Sequence, residues 1–442
     1  MNAPIAPAVP NMEHHWLPFT NNRLFWQEPQ IFAKAEGVRY WTPEGREILD
    51  GASGLFCCAA GHARPEIADA VHKQLMTLDY TPHFQRAAPV SFEFAERLAG
   101  ILPEGIDRVF FGNSGSEAVD SAVKICLAYH RAKGQSQRTR FVSRNWAYHG
   151  VNMGGTSLAG MVNNRRDFGA VTFDAVHMRH TWAEEQKFSR GQPETGADRA
   201  DDLEEMCKLY GGETIAAVFI EPIAGSIGTI VPPKGYLEKI RAICDKYGIL
   251  LVFDEVITGF GRTGSAFASQ EFAVKPDVIT MAKALTNGVI PMSAVAVKRE
   301  IQAAVIDAAQ GDRPELFHGY TYSAHPVACA AGIAALNIYR DEGLFERAKA
   351  LSPQFLDMVF GLRNLPQVVD LRGYGMLAGI QLKPGATPGA KGSLVQRLLF
   401  DAGLHIKATG DAIIFAPALV TPEDDMARMG DVLQKVLGRA DL

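Results

Sequence analysis

Through the middle of the chain, short apolar runs alternate with longer stretches whose apolar residues recur at helical spacing. That alternation predicts a mainly parallel central sheet covered by helices. Strands are expected at residues 108–111, 140–143, 216–221, 249–254 and 278–282, with helices such as 235–247 between them. The run Ile249-Leu-Leu-Val-Phe253 has no polar break, as a strand buried on both faces requires. Residues 182–202 mix Gly, Pro and charges without a period and read as a surface loop. From His325 the pattern changes to an Ala-rich helix over 327–341, a second helix over 344–362 and strands at 368–372 and 377–382. A Gly/Pro-rich loop over 384–393 precedes a further helix and a strand at 412–415. Two short strands around the turn Pro43-Glu-Gly45 add to this later unit. The fold class is thus α/β with a smaller α+β domain. Residues 1–60 join the small domain, 61–325 form the large one, and 326–442 complete the small one.

Two charged residues stand at the ends of these apolar runs. Asp254 closes the strand 249–254, and Lys283 follows the strand 278–282, so both fall at the carboxyl edge where open α/β sheets bind ligands. Burying an unpaired ammonium costs several kcal/mol, so an interior lysine usually has a chemical role. Lysine supplies the amine for a Schiff base with pyridoxal phosphate (PLP), and aspartate supplies the partner for its ring nitrogen.

A third feature lies at the same edge. The segment Arg108-Val-Phe-Phe-Gly-Asn-Ser-Gly-Ser-Glu-Ala-Val reads strand, tight loop, helix, with Ala122, Val123, Cys126 and Leu127 at helical spacing. Ser114 and Glu117 have capping-box spacing, and Ser114, Gly115 and Ser116 leave backbone amides open to an anion at the positive end of the helix. Tyr148, in Trp146-Ala-Tyr-His-Gly150, is placed to stack on a cofactor ring.

Composition narrows the partners. With 442 residues and a formal net charge of −5, acids and bases interspersed, the chain carries no electrostatic footprint for nucleic acid or anionic membrane. No run reaches the ~18 apolar residues of a membrane span. Six cysteines without a C-x-x-C pair, two of them the adjacent Cys57 and Cys58, fit reduced thiols in the cytoplasm rather than disulfides or a metal site. Residues 1–10 are Ala/Pro-rich and read as a flexible tail. Gly259-Phe-Gly261-Arg-Thr-Gly264 matches the G-x-G-x-x-G of nicotinamide-binding folds and leaves a dehydrogenase as a rival reading. Asp254 precedes those glycines and Pro276 follows too soon for a crossover helix, so a tight backbone path beside the site is the expectation.

Taken together, Phe111-Gly-Asn-Ser-Gly-Ser-Glu-Ala118, Ala147-Tyr-His-Gly150, Glu221-Pro-Ile-Ala-Gly225, Phe253-Asp-Glu-Val-Ile-Thr-Gly-Phe-Gly-Arg-Thr-Gly264, Met281-Ala-Lys-Ala284 and His318-Gly-Tyr-Thr-Tyr-Ser-Ala-His-Pro326 resemble the class III aminotransferases. Within that family the ω-amino acid:pyruvate, or β-alanine:pyruvate, subgroup is the nearest resemblance. It implies a fold-type I PLP enzyme acting as a homodimer or homotetramer on an amine donor and a keto-acid acceptor. It further implies that Lys283 holds PLP as a Schiff base, Asp254 faces the ring nitrogen, and Val256 and Tyr148 sandwich the ring. Ser114, Gly115 and Ser116 would hold the phosphate with Thr321 of the partner subunit, and His149 and Glu221 would complete the cofactor set. Phe19, Phe56 and Phe84 would form an apolar substrate wall beside Tyr148; close relatives often carry Trp at the place of Phe56. In many relatives an arginine binds the substrate carboxylate where Lys407 stands here, and a lysine lacks the bidentate fork. A related PLP decarboxylase or aminomutase would use the same cofactor residues, and a binding protein without catalysis would not need them.

Overall fold

The computed structural model describes residues 11–168 and 173–442. The expected tail, 1–10, lies outside the described residues. The chain opens with an antiparallel meander of three strands, β1 (Lys34–Glu36), β2 (Arg39–Trp41) and β3 (Glu47–Asp50), one more than expected.

The central sheet has seven strands: β4 (Ile106–Gly112), β5 (Arg140–Arg144), β6 (Ala175–Met178), β7 (Ile215–Ile220), β8 (Leu250–Asp254), β9 (Val278–Met281) and β10 (Ser293–Lys298). Their spatial order is β4-β10-β9-β8-β7-β5-β6. Strands β5 to β9 are mutually parallel, while β10 runs antiparallel to both β4 and β9. Every residue of β7 and β8 is buried, which is why those runs are apolar throughout rather than alternating. The expectation did not include β6 or β10.

The last five strands are β11 (Val368–Tyr374), β12 (Leu377–Leu382), β13 (Leu404–His405), β14 (Lys407–Thr409) and β15 (Ala412–Phe415). An antiparallel sheet forms in the order β11-β12-β15-β14, and β13 leaves it to pair in parallel with β3. The N-terminal meander is therefore completed by the C-terminal part of the chain. Helix Pro326–Asp341 is apolar on nearly all sides and packs against helices Pro65–Thr77 and Pro89–Ala99 and the turn Lys283–Thr286.

Two loops differ from expectation. Segment 182–202 is tied down rather than free: Trp182 Nε1 and the Phe188 amide donate to Asp370 at 3.1 and 2.6 Å, and Arg190 bridges to Gly373. Helix Ala390–Asp401 begins inside the Gly/Pro-rich segment, where the Gly392 amide donates to Asp411 Oδ1 at 3.1 Å. Among the described residues no helix is long and apolar enough to cross a membrane.

Candidate active site

The carboxyl ends of β7, β8 and β9 bring Glu221, Asp254 and Lys283 to one edge of the central sheet. Asp254 is buried, and its Oδ2 lies 2.8 Å from His149 Nδ1, so the imidazole proton facing the carboxylate sits on Nδ1. The Val256 amide donates to the other oxygen, Oδ1, at 3.2 Å. Both oxygens are thereby aimed. His149 Nε2 is buried without a hydrogen-bond partner among the described residues.

Glu221 is also buried, and its Oε1 accepts from the Tyr148 amide at 3.2 Å. Burial pushes this carboxyl up to about 7, against the pull of His149 and Arg144, and the neighbouring Asp254 adds to the rise. Arg144, whose Nη2 donates to the Glu221 carbonyl at 2.5 Å, was not among the expected site residues. Its signal was a charge at the end of the apolar strand 140–143. Because the folded carboxyl titrates above its unfolded value, its contribution to stability is full below about pH 4.5 and is lost as pH rises through about 7. The cofactor-free Glu221→Gln variant is accordingly expected to melt higher than wild type at pH 8, with the gap closing toward pH 4.5; thermal melts at the two values check this.

Lys283 opens the turn Lys283–Thr286 with φ at +51°, a left-handed conformation that an L-residue adopts only when its surroundings impose it. The Tyr339 hydroxyl donates to the Ala284 carbonyl at 2.5 Å and pins that turn from the helix behind it. Lys283 Nζ makes no hydrogen bond or ion pair with any described residue and lies 5.8 Å from the centre of the Phe56 ring. Burial draws its ammonium below the ordinary lysine range, opposed by Cys57, Asp254 and Glu221. The result favours the free amine, the form that attacks a carbonyl.

Beside this pair the helix Gly115–Ala132 points its first turn at the same edge. Ser114 caps it, Oγ accepting from the Glu117 amide at 3.2 Å, but the reciprocal half of the expected capping box does not form. Glu117 Oε2 instead accepts from the Asn113 amide at 2.7 Å and from Asn113 Nδ2 at 2.8 Å. The first-turn amides of Gly115 and Ser116 have no acceptor among the described residues. A Cβ on Gly115 would stand 3.2 Å from Val256 and 3.7 Å from Ala282, which places these amides between the ends of β8 and β9. Ser116 Oγ accepts from the Val151 amide at 3.0 Å, leaving its own proton free for an anion.

Residues 26–437 match the family described as aminotransferase class-III. The omega-aminotransferase of Caulobacter vibrioides is 50% identical over 98% of each chain. The beta-alanine–pyruvate aminotransferase of Pseudomonas aeruginosa is 42% identical over 99% of each. A PLP-bound amine transaminase from an uncultivated Pseudomonas species superposes with a TM-score of 0.92 at 33% identity, over 97% of this chain and 99% of the other. The chain belongs to the class III aminotransferases.

Aminotransferases of this class are PLP-dependent, and the residues just described fit that cofactor. An unpaired amine can form the imine, a carboxylate held by a histidine can face the ring nitrogen, and two open amides at a helix start can take the phosphate. In this aminotransferase the segment Gly259–Gly264 is packed closely by the rest of the protein, as a tight backbone path would be. Arg262, on that segment, donates to the carbonyls of Met376 and Pro417 at 3.1 and 2.6 Å and to Ser53 Oγ at 3.1 Å. A Cβ on Gly261 would come within 2.7 Å of Leu419. The dehydrogenase reading is therefore set aside.

The remaining expected residues are more dispersed. Phe56 is buried beside Lys283, Phe84 is exposed and rests against Gly319, and Phe19 is 79% exposed. No ring contact links the three within the chain. Tyr148 is half-buried, close enough to Asp254 and Glu221 for their charges, after burial, to raise its phenol above the ordinary range. Thr321 is exposed, its carbonyl accepting from the Tyr80 hydroxyl at 3.1 Å. Lys407 is half-buried, and burial lowers its ammonium; no described residue pairs with it. All six cysteines are free thiols, and Cys57, beside Lys283 and unremarked by the sequence pattern except for its neighbour Cys58, has its thiol pushed up by burial.

Proposed function

We propose that this aminotransferase transfers the amino group of an ω-amino acid such as β-alanine, or of a simple primary amine, to pyruvate. The products are an aldehyde or keto acid and alanine. The observation that carries the choice of donor is Lys407: it stands directly opposite Ile414 across β14 and β15, and cross-strand partners share a face. Ile414 belongs to the same apolar cluster as Phe56, which neighbours Lys283. An unpaired cation on the face of a strand that packs toward the amine suits a donor with its carboxylate remote from its amino group. The names of the Caulobacter and Pseudomonas relatives support the same donor class.

Bound PLP supplies a carbonyl for the donor amine and an electron sink for the carbon that loses its proton. Lys283 Nζ, the unpaired amine at this edge, would be the group that holds and moves that proton as general base and acid. Asp254, fixed by His149 Nδ1 and the Val256 amide, would hold the ring nitrogen. Tyr148 and Val256 would pack against the cofactor ring, and Glu221, whose Oε1 accepts from the Tyr148 amide, is an acidic group beside them. The Ser114–Ser116 cradle, with Thr321 of the partner subunit, takes the phosphate, which makes a homodimer, or a tetramer built from it, the working unit. Phe56 lines the donor pocket, and Phe19 and Phe84 add to its apolar wall. Six free thiols agree with a reducing, cytoplasmic setting.

The test is a panel of ω-amino acids and amines assayed with purified enzyme, with and without pyruvate. Alanine formed in step with donor loss is the expected result; carbon dioxide released without pyruvate would identify a decarboxylase instead. In the same assay Lys407→Ala is expected to reduce kcat/KM for β-alanine about tenfold or more while sparing a carboxylate-free amine. Equal losses on both donors would remove Lys407 from the carboxylate site.

A further inference from the structure

The loop that carries Thr321 is anchored on the phosphate helix of its own chain. The Tyr320 hydroxyl donates to the Glu117 carbonyl at 3.2 Å and lies 3.3 Å from Ser121 Oγ. His318 Nε2 lies 2.8 Å from the same Ser121 Oγ, and its ring stacks on Phe110 of β4 at a centroid distance of 5.4 Å. Lys124 Nζ approaches His318 Nδ1 at 3.2 Å. The loop is also closed on itself: the Tyr320 amide donates to Ser323 Oγ at 3.1 Å, and the Ser323 amide donates back to the Tyr320 carbonyl at 3.0 Å. Between these anchors Thr321 is exposed, with only its carbonyl engaged, by Tyr80.

The same helix therefore carries two loads. Its first turn offers the amides of Gly115 and Ser116 to an anion in its own subunit, and Glu117 and Ser121, on that turn and the next, hold the loop that presents Thr321 outward. We infer that Tyr320, with His318 and Ser121, is a positioning residue that ties the Thr321 loop to the phosphate helix and acts in trans, on cofactor retention in the partner subunit. The inference rests on the proposed phosphate role of Thr321 in a dimer. A tyrosine is suited to the task because its ring packs edge-on against His318 at 5.0 Å while its hydroxyl reaches the helix carbonyl.

Tyr320→Phe keeps the ring and removes only the hydroxyl, with its contacts to Glu117 and Ser121, so the variant is expected to fold and to melt, without cofactor, close to wild type. Its PLP is expected to dissociate about tenfold faster on dilution, as for loss of one hydrogen bond to a charged ligand. Mixed dimers decide the direction. Pairing a subunit that carries both Tyr320→Phe and Lys283→Ala with a wild-type subunit leaves one imine-forming site, facing the altered loop; fast loss of its absorbance is expected. Placing the two substitutions on opposite subunits leaves the imine-forming site facing an intact loop, and slow loss is expected. Fast loss only in the second arrangement, or wild-type rates in both, would overturn the inference. Should wild type take up no PLP, or Thr321→Ala retain it as wild type does, the phosphate assignment itself would fail, a result distinct from a null effect of Tyr320→Phe.

Discussion

Lys283→Ala is expected to lower turnover by about 10⁴-fold or more, the scale of losing a positioned general base. Lys283 is also proposed as the imine-forming amine, so one substitution removes two functions. The cradle at Gly115 and Ser116 and the carboxylate at Asp254 remain in the variant, so PLP is expected to bind still, without the visible absorbance of a lysine imine. Borohydride should fix the cofactor covalently to wild type and leave it removable from Lys283→Ala. The left-handed φ of +51° at this position argues that the fold pays attention to placing this side chain, since alanine there keeps the strain and gains nothing. Full turnover in the variant would end the catalytic assignment.

Asp254→Asn is expected to lower kcat by roughly 10²–10³-fold, the scale of removing one preorganised electrostatic group from a reacting centre. The amide is close to the same size and can still accept from His149 Nδ1, now 2.8 Å from the carboxylate, so folding should be unharmed. What it loses is the negative charge proposed to hold a proton on the ring nitrogen. His149→Ala is expected to cost less, because the Val256 amide still fixes Oδ1 at 3.2 Å. Steady-state kinetics on the two variants check the order. Wild-type kcat in Asp254→Asn, with PLP bound, would separate this carboxylate from the chemistry.

The central sheet was legible where burial on both faces writes an unbroken apolar run, as in β7 and β8, and Asp254 and Lys283 stood out because each is a charge where such a run stops. Strand β10 was not, because Ser293-Ala-Val-Ala-Val-Lys298 is built of small residues and turns back antiparallel, against the repeating pattern before it. The two residues of β13 are too few to show any period. Glu117 kept the spacing of a capping box yet bonds Asn113, because spacing along the chain does not choose between two amides one residue apart. Gly259–Gly264 packs as the expected tight backbone path: its glycines admit Leu419 and Phe345, although a Gly-rich string reports close approach without saying what approaches. Arg144 showed as a charge ending the strand 140–143, but its hold on Glu221, like the Tyr320 anchor, lay beyond reading, since each acts through a partner distant in sequence.

The pairing of β3 with β13 has a consequence for biosynthesis. Leu49 and His405 belong to strands that cannot meet until almost the whole polypeptide has been made. At roughly 5–20 residues per second, the outer backbone of β3 waits on the order of 20–70 s for its neighbour. Throughout that interval a nascent chain displays an open ladder of amides and carbonyls to any other strand nearby. Crowded polysomes and strong overexpression are thus the conditions under which this enzyme should be most prone to inclusion bodies, and slower initiation or cooler growth should recover soluble material.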